Sequence, residues 1–153
     1  MAFPLRFADP VYPTLEGREM QTSNDSLAVW IPRAQAVMRI VVAYVFLQHG
    51  TAKFFDIPSL GMQGIQLFSL MGLAGVLEIG GGLLMLVGLF TRPVAFVLCG
   101  FMAVAYFMAH APKSLLSPLQ NGGEAAVLYC FVYLFFAVAG AGAFSIDAAR
   151  RKA

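Results

Sequence analysis

The chain has 153 residues, of which 59% are hydrophobic and only 12% are charged. A water-soluble domain of this size is about a quarter charged, so there is too little polar surface here to cover a soluble globule, and the sequence predicts a membrane protein. The formal net charge of +2 is too small to indicate nucleic-acid binding.

Residues 1–33 differ from the rest of the chain. They are rich in charge and proline, contain no long apolar run, and lack the basic start and apolar core of a secretory signal. We predict a polar tail here, loosely ordered unless a partner holds it. Trp30 and Pro32 are expected to mark the point where the chain meets the membrane, because Trp favours the interface and Pro the first helical turn.

Four apolar segments follow, over residues 34–55, 66–90, 93–110 and 124–144. A membrane span needs roughly 20 residues at about 1.5 Å each, and the third segment is the shortest. The short connection Thr91-Arg92-Pro93 favours antiparallel neighbours. The sequence therefore predicts an all-α membrane protein: a four-helix up-down bundle over residues 34–147, followed by a basic C-terminal tail over residues 148–153.

Positive charges are distributed unequally between the two ends of the predicted bundle. Only Lys53 and Lys113 lie at one end. The other end, which carries both termini, holds Arg6, Arg18, Arg33, Arg92, Arg150, Arg151 and Lys152. Because basic loops stay on the cytoplasmic side, we expect both termini, and with them the N-terminal tail, in the cytoplasm.

One acidic residue, Glu78, lies within the second apolar segment, near the expected midplane of the membrane. Glutamate is too short to reach the head groups from there. The residues three and four positions away are small, which allows another helix to approach closely; they are Ala74, Gly75, Gly81 and Gly82. Glu78 is therefore expected to face protein and not lipid.

The role of Glu78 stays open between two interpretations. In the first, its carboxyl group is protonated, or bonds to Arg39, Tyr44 or a backbone carbonyl, and fixes the register of the helices. In the second, Glu78 relays protons or contacts a bound head group, as intramembrane ionisable residues commonly do. Arg39 lies close to the cytoplasmic end of the first segment, where it either reaches the head groups or has a buried role.

A second group of polar residues is predicted at the outer mouth of the bundle. His49 and Lys53 lie one helical turn apart on one face, His110 ends the third segment, and Glu124 begins the fourth. The candidate catalytic residues are Glu78, His49 and His110. The candidate cofactor-binding residues are Arg39, Lys53, Tyr129 and Glu124. Interfacial hydrogen bonding, and capping of the fourth helix by Asn121 and Glu124, are the simpler explanations.

The sequence narrows the choice of cofactor. Haem is disfavoured, because His110 directly precedes Ala-Pro at a fraying helix end. We expect no metal site, since two histidines and one glutamate are too dispersed to form a motif. Tyr129 and Tyr133 have the spacing to bind a quinone ring together, although tyrosines at this spacing more often only pack. Cys99 and Cys130 are interpreted as small buried hydrophobic residues.

The chain resembles the DoxX family of small four-helix membrane proteins of bacteria. The resemblance covers residues 34–147 and rests on Arg39, HGTAKFF (49–55), LEIGGGLLMLVGLFTR (77–92), His110, NGGE (121–124) and GAGAFSID (140–147). It implies a protein of the bacterial inner membrane that works beside a redox enzyme. Relatives include the DoxD-type subunit of an archaeal thiosulfate:quinone oxidoreductase, a member of a mycobacterial redox-stress complex, and partners in metalloenzyme maturation or methylamine oxidation.

Three functions stay open at this point. The first is an accessory or assembly subunit of a respiratory or other redox membrane complex, at the quinone pool. The second is a quinone-linked oxidoreductase subunit with its own site near His49, Lys53, His110 and Glu78. The third is a small transporter, which has the least support because the sequence shows no inverted repeat and no helix broken at the midplane. The expected partners are the lipid bilayer and a larger redox complex.

Overall fold

The computed structural model describes residues 15–61 and 65–152, with side chains from residue 27 onward. Every element in these ranges is helical, as predicted: α1 (Leu15–Phe55), α2 (Leu70–Val87), α3 (Thr91–Ala105), α4 (Pro118–Asn121), α5 (Glu124–Ala139) and α6 (Ile146–Arg150). One π-helical turn, Tyr106–His110, continues α3. The all-α class is therefore confirmed for the described residues.

Three helices in these ranges are long and apolar enough to cross a membrane: Leu27–Phe55, Leu70–Val87 and Thr91–His110. The protein is thus a multi-pass membrane protein. Helix α5 is also apolar, but its 16 residues cover only about 24 Å at 1.5 Å each, which is less than the hydrocarbon core of about 30 Å.

The first helix is longer than the apolar segment that predicted it. It begins at Leu15, so residues 15–33 of the predicted polar tail are helical, and residues 1–14 lie outside the described residues. The stretch LEGREMQ contains strong helix formers such as Leu, Glu, Arg, Met and Gln. As a result Pro32 lies inside α1 and not in its first turn, where it was expected.

The fourth apolar segment ends earlier than predicted. Helix α5 stops at Ala139 and not at residue 144, because Gly140 adopts a φ of 85° that other residues rarely reach. The chain then runs back along α1. The Gln35 side-chain amide donates to the Gly140 carbonyl at 2.6 Å, and the Ala143 amide donates to the Pro32 carbonyl at 2.8 Å.

The helices associate in two pairs, α1 along α2 and α3 along α5. Glycines set the spacing of the first pair: a Cβ atom at Gly50 would lie 2.6 Å from Ile79 Cγ1, and one at Gly82 would lie 2.9 Å from Leu47 Cδ1. The pairs meet in a core formed by Ala43, Phe46, Met85, Ala95, Leu98, Met102, Tyr133 and Phe136.

Arg39 joins α1 to two other parts of the bundle. It is fully buried, and among the described residues its guanidinium group donates hydrogen bonds only to backbone carbonyls. Two of these, on Met85 and Leu86 (2.7 Å for Leu86), belong to the last turn of α2. The other two, on Ala141 (3.0 Å) and Phe144 (2.9 Å), belong to the loop after α5. Arg39 therefore joins the C-terminal turn of α2 to the loop after α5 through its hydrogen bonds to carbonyls of both.

The first turn of α3 is capped from a distant part of the chain. Asp147, in α6, accepts hydrogen bonds from the backbone amides of Phe90 (2.9 Å) and Thr91 (2.8 Å). Partial burial raises the pKa of Asp147, but the hydrogen bonds from Thr91 and Phe90 and the charge of Arg151 outweigh this effect. The pKa therefore lies below its ordinary value of 3.8.

Candidate functional site

Glu78 forms a buried ion pair with Lys53. The Lys53 Nζ atom lies 2.6 Å from Glu78 Oε2 and 2.7 Å from Oε1, and the two side chains are only 10% and 7% exposed. The expectation that Glu78 faces protein is confirmed. The expected partners, Arg39, Tyr44 or a backbone carbonyl, were wrong.

The helix register explains this pairing. Gly50 of α1 lies against Glu78 and Ile79 of α2, and Lys53 follows one turn later on the same face. A lysine side chain spans about one turn, so its ammonium group can turn back to the carboxylate. It also donates to the His49 carbonyl at 3.3 Å. Each charge thus has a partner in a place where an isolated one would be costly.

The ion pair lies in the wall of a cavity of about 430 Å³ between α1, α2, α3 and α5. Most of the wall is apolar, with side chains such as Leu77, Met102 and Met108. The polar part of the wall consists of His49, Lys53, Glu78, His110 and Tyr129. Five of the seven candidate residues from the sequence are thus brought together in one place.

His49 and Tyr129 are close neighbours across the cavity wall. Their rings meet edge to face with centroids 5.9 Å apart. Within the described part of the chain, neither the imidazole nor the phenol group has a hydrogen-bond partner. The Tyr133 hydroxyl, one turn from Tyr129 and fully buried, likewise has none among these residues. The site therefore contains hydrogen-bonding capacity that the fold itself does not use.

His110 lies on the π-helical turn that ends α3. Such turns shift the register of a helix and are frequent at functional sites, and here the turn places Met108, Ala109 and His110 in the cavity wall. His110 Nδ1 lies 3.2 Å from the Asn121 carbonyl. A carbonyl can only accept, so Nδ1 is the donor and Nε2 stays available for a ligand.

Asn121 holds this end of the cavity together through side-chain hydrogen bonds. The sequence did not reveal this role of Asn121. Its side chain is buried and donates to the Ser114 carbonyl (2.6 Å) and the Tyr106 hydroxyl (3.1 Å). Its Oδ1 atom accepts from the Gly123 amide. Gly123 is the N-cap of α5 and no side chain caps that helix directly, so the predicted cap by Asn121 was wrong in detail.

Two candidate residues lie outside the cavity. Arg39 is bound to backbone carbonyls, and Glu124 is exposed at the start of α5. In the ranges that the structure describes, no three His, Cys, Asp or Glu side chains are arranged to hold a metal ion. Cys99 and Cys130, interpreted separately from the sequence, are neighbours, with their Sγ atoms 3.7 Å apart.

Comparison with known proteins identifies the family. The DoxX family profile matches residues 34–111, which is half of the chain. The chain belongs to the DoxX family. An uncharacterized protein of Haemophilus influenzae is 44% identical over 127 residues, which cover 80% of this chain and 95% of the relative. No solved structure matches.

The DoxX match covers three of the four helices that surround the cavity. It includes α1 from residue 34, α2, and α3 with its π-helical turn, and therefore four of the five polar wall residues: His49, Lys53, Glu78 and His110. Tyr129 lies beyond it. In this DoxX protein the ion pair and both histidines thus fall within the matched region.

Proposed function

We propose that this DoxX protein is a membrane subunit of a redox complex and binds a quinone in the cavity between α1, α2, α3 and α5. The observation that carries this proposal is a cavity with mostly apolar walls and one group of polar side chains, of which His49 and Tyr129 have unused hydrogen-bonding capacity. Pockets for small molecules commonly enclose about 300–1,000 Å³ and combine apolar walls with a few polar groups.

The residues of the cavity fit a quinone. His49 and Tyr129 would donate hydrogen bonds to its ring oxygens, and Leu77, Met102 and Met108 would contact its ring and substituents. The Lys53–Glu78 pair would supply fixed charges close to the ring. A bound quinone takes up two electrons and two protons. We assign the main electron donor to a partner subunit, in agreement with an accessory role within a larger complex.

The orientation of the bundle belongs to the same proposal. We place four crossing segments in the bacterial inner membrane, with both termini in the cytoplasm: α1, α2, α3, and α5 together with residues 140–144 of the fourth apolar segment. Lys53 no longer counts as a loop charge, because it is buried against Glu78. This leaves Lys113 alone at one end of the bundle, which supports the orientation. The cavity then lies in the outer half of the membrane, where a quinone can reach it through the lipid.

Quinone binding can be measured directly on the purified protein in nanodiscs, by equilibrium dialysis against a short-chain ubiquinone analogue. We expect Tyr129→Phe and His49→Ala to raise Kd about tenfold each, because a lost hydrogen bond of about 1.4 kcal/mol corresponds to that factor. Tyr44→Phe is the matched control, since Tyr44 is exposed on α1 outside the cavity. Equal Kd values in all four proteins would refute the proposed site.

A cavity-filling variant tests the same site by its shape. Ala109→Phe adds volume inside the cavity, whereas Val97→Phe adds it on the exposed face of α3. Only the first should abolish quinone binding.

Membership of a complex is tested separately, by native mass spectrometry of the protein extracted from its own membrane in mild detergent. Recovery without any other subunit would contradict the accessory role.

A further inference from the structure

Helices α3 and α5 bring the two cysteines of the chain together. Cys99 and Cys130 are 31 residues apart in sequence, yet their Sγ atoms lie 3.7 Å apart, and both thiols are free. The chain contains only these two cysteines. Each is therefore the only thiol that the other can meet within one molecule.

The distance between the thiols is short enough for a bond. A disulfide has an S–S length of about 2.05 Å, so the two sulfur atoms need to approach by only about 1.7 Å. Rotation of the side chains can supply such a movement without separating α3 from α5, which already pack along each other. Both cysteines are half-buried and pack against the core of the bundle.

The position of the pair selects the kind of oxidant that can reach it. At 1.5 Å per residue along the helix axis, Cys99 lies about 12 Å from Thr91, the first residue of α3. Cys130 lies about 9 Å from Glu124, the first residue of α5. Both thiols therefore lie within the apolar part of the bundle. Charged thiol reagents of the aqueous phase do not enter this region, whereas a lipid-soluble molecule does.

We propose that Cys99 and Cys130 form a reversible thiol–disulfide couple that a lipid-soluble quinone oxidises. The two thiols lose two electrons and two protons and form one S–S bond, and the quinone takes up the same electrons and protons to become a quinol. This inference rests on the proposed function for the identity of the oxidant. The pair itself rests on the geometry of α3 and α5.

The couple would act on the cavity because its two helices form part of the wall. Met102, one turn after Cys99, and Tyr129, directly before Cys130, both line the cavity. A disulfide would bind these two parts of the wall together covalently. Reduction would leave them held by packing alone.

The test uses the full chain in nanodiscs, first reduced and then exposed to duroquinone, the tetramethyl benzoquinone. Its ring is fully substituted, so a thiol has no free ring position to which to add. We expect the intact mass to fall by that of a hydrogen molecule, one quinol to appear per protein, and both thiols to resist alkylation after denaturation. Dithiothreitol should reverse all three changes. Cys99→Ser and Cys130→Ser are the matched controls and should show none of them.

Two further measurements separate the possible failures. If diamide, a membrane-permeant thiol oxidant, forms the disulfide and duroquinone does not, the inference is overturned, and it is overturned equally if neither reagent forms it. Duroquinone binding is measured in parallel in the double variant Cys99→Ser/Cys130→Ser. Binding without a disulfide in the native chain refutes the thiol couple and leaves the proposed function intact. A disulfide without measurable binding supports the couple and refutes the cavity as the quinone site.

Discussion

Lys53 and Glu78 neutralise each other inside the bundle, with the lysine Nζ atom within 2.7 Å of both carboxylate oxygens. Each residue can stay charged in the interior because the other neutralises it, since burying an ion without a partner costs several kcal/mol of folding free energy. The pair also joins α1 to α2 close to the cavity. We therefore expect the pair to have two separable roles, one in stability and, under the proposed function, one in binding.

Removing one member of the pair should destabilise the protein strongly. Lys53→Met leaves the Glu78 carboxylate buried without a cation, and we expect a loss of about 3–5 kcal/mol. The double variant Lys53→Met/Glu78→Met should recover most of it, because two apolar side chains of similar size replace the ions. Thermal unfolding in one detergent measures the stability of the single and the double variant. Lys113→Met, at an exposed lysine, is the control. A double variant no more stable than the single one would contradict this account.

The same double variant tests whether the pair contacts the ligand. Because both side chains line the cavity, we expect the folded double variant to bind a short-chain quinone at least about tenfold more weakly, a difference of about 1.4 kcal/mol. Equilibrium dialysis gives the Kd, and recovery of the native unfolding temperature shows that the fold is intact. An unchanged Kd would leave the pair only its structural role.

Close contact between α1 and α2 depends on glycine. A Cβ atom at Gly50 would lie 2.6 Å from Ile79 Cγ1 and 3.0 Å from the Gly75 carbonyl oxygen, so Gly50→Ala must push the helices apart. We expect a loss of about 1–3 kcal/mol from overpacking. Gly80→Ala is the matched control, because nothing lies within 4 Å of a Cβ atom there. That variant should gain about 0.5–1 kcal/mol from helix propensity. Equal effects in thermal unfolding would refute the close contact.

The sequence revealed the ionisable residues but not their pairing. Glu78 was recognised because a charge in an apolar segment is conspicuous, and its small neighbours correctly indicated a protein-facing side chain. Lys53 was grouped with His49, His110 and Glu124 at the outer mouth of the bundle, because it lies near the end of its segment. Its pairing depends on the register between α1 and α2, which is set by contacts between residues far apart in the chain, such as Gly50 and Ile79.

Helix ends were predicted less well than helices. Hydropathy locates an apolar run, but an end depends on backbone geometry and on distant partners. The α5 helix ends at Ala139 although apolar residues follow, because Gly140 adopts a positive φ and the carbonyls of Gly140 and Ala141 accept hydrogen bonds from Gln35 and Arg39 of α1. The contact between Cys99 and Cys130 could not be predicted from the sequence for a similar reason, because it depends on which faces of α3 and α5 pack against each other.

Arg39 should be irreplaceable even by lysine. Its guanidinium group donates to four carbonyls on two parts of the chain, whereas a lysine ammonium group is a single point that cannot reach both. We expect Arg39→Lys to cost about 3 kcal/mol or more, since each buried hydrogen bond to a charged group contributes about 1.5–3 kcal/mol. Arg33→Lys, at an exposed arginine of the same helix, is the control. Equal unfolding temperatures for the two variants would contradict a stabilising role of the hydrogen bonds from Arg39 to the four carbonyls.

Asp147 should make stability depend on pH in the acid range. Its pKa is lowered in the folded protein because the hydrogen bonds from Thr91 and Phe90 and the charge of Arg151 outweigh the effect of burial. A carboxyl group with a lowered pKa stabilises the fold above its ordinary pKa of 3.8. That stabilisation is lost as the pH falls through the lower folded-state value.

Replacing Asp147 separates this effect from other acid-induced changes. Asp147→Asn keeps the shape of the side chain but removes its charge from the first turn of α3, and we expect a loss of about 1 kcal/mol at neutral pH. The difference from the native chain should shrink as the pH is lowered below 3.8 and through the folded-state pKa of Asp147, because the native carboxylate then becomes protonated as well. Unfolding temperatures of both proteins across this range measure it, with Glu124→Gln, at an exposed carboxylate, as the control. A difference that stays constant with pH would show that the cap acts through shape alone and not through charge.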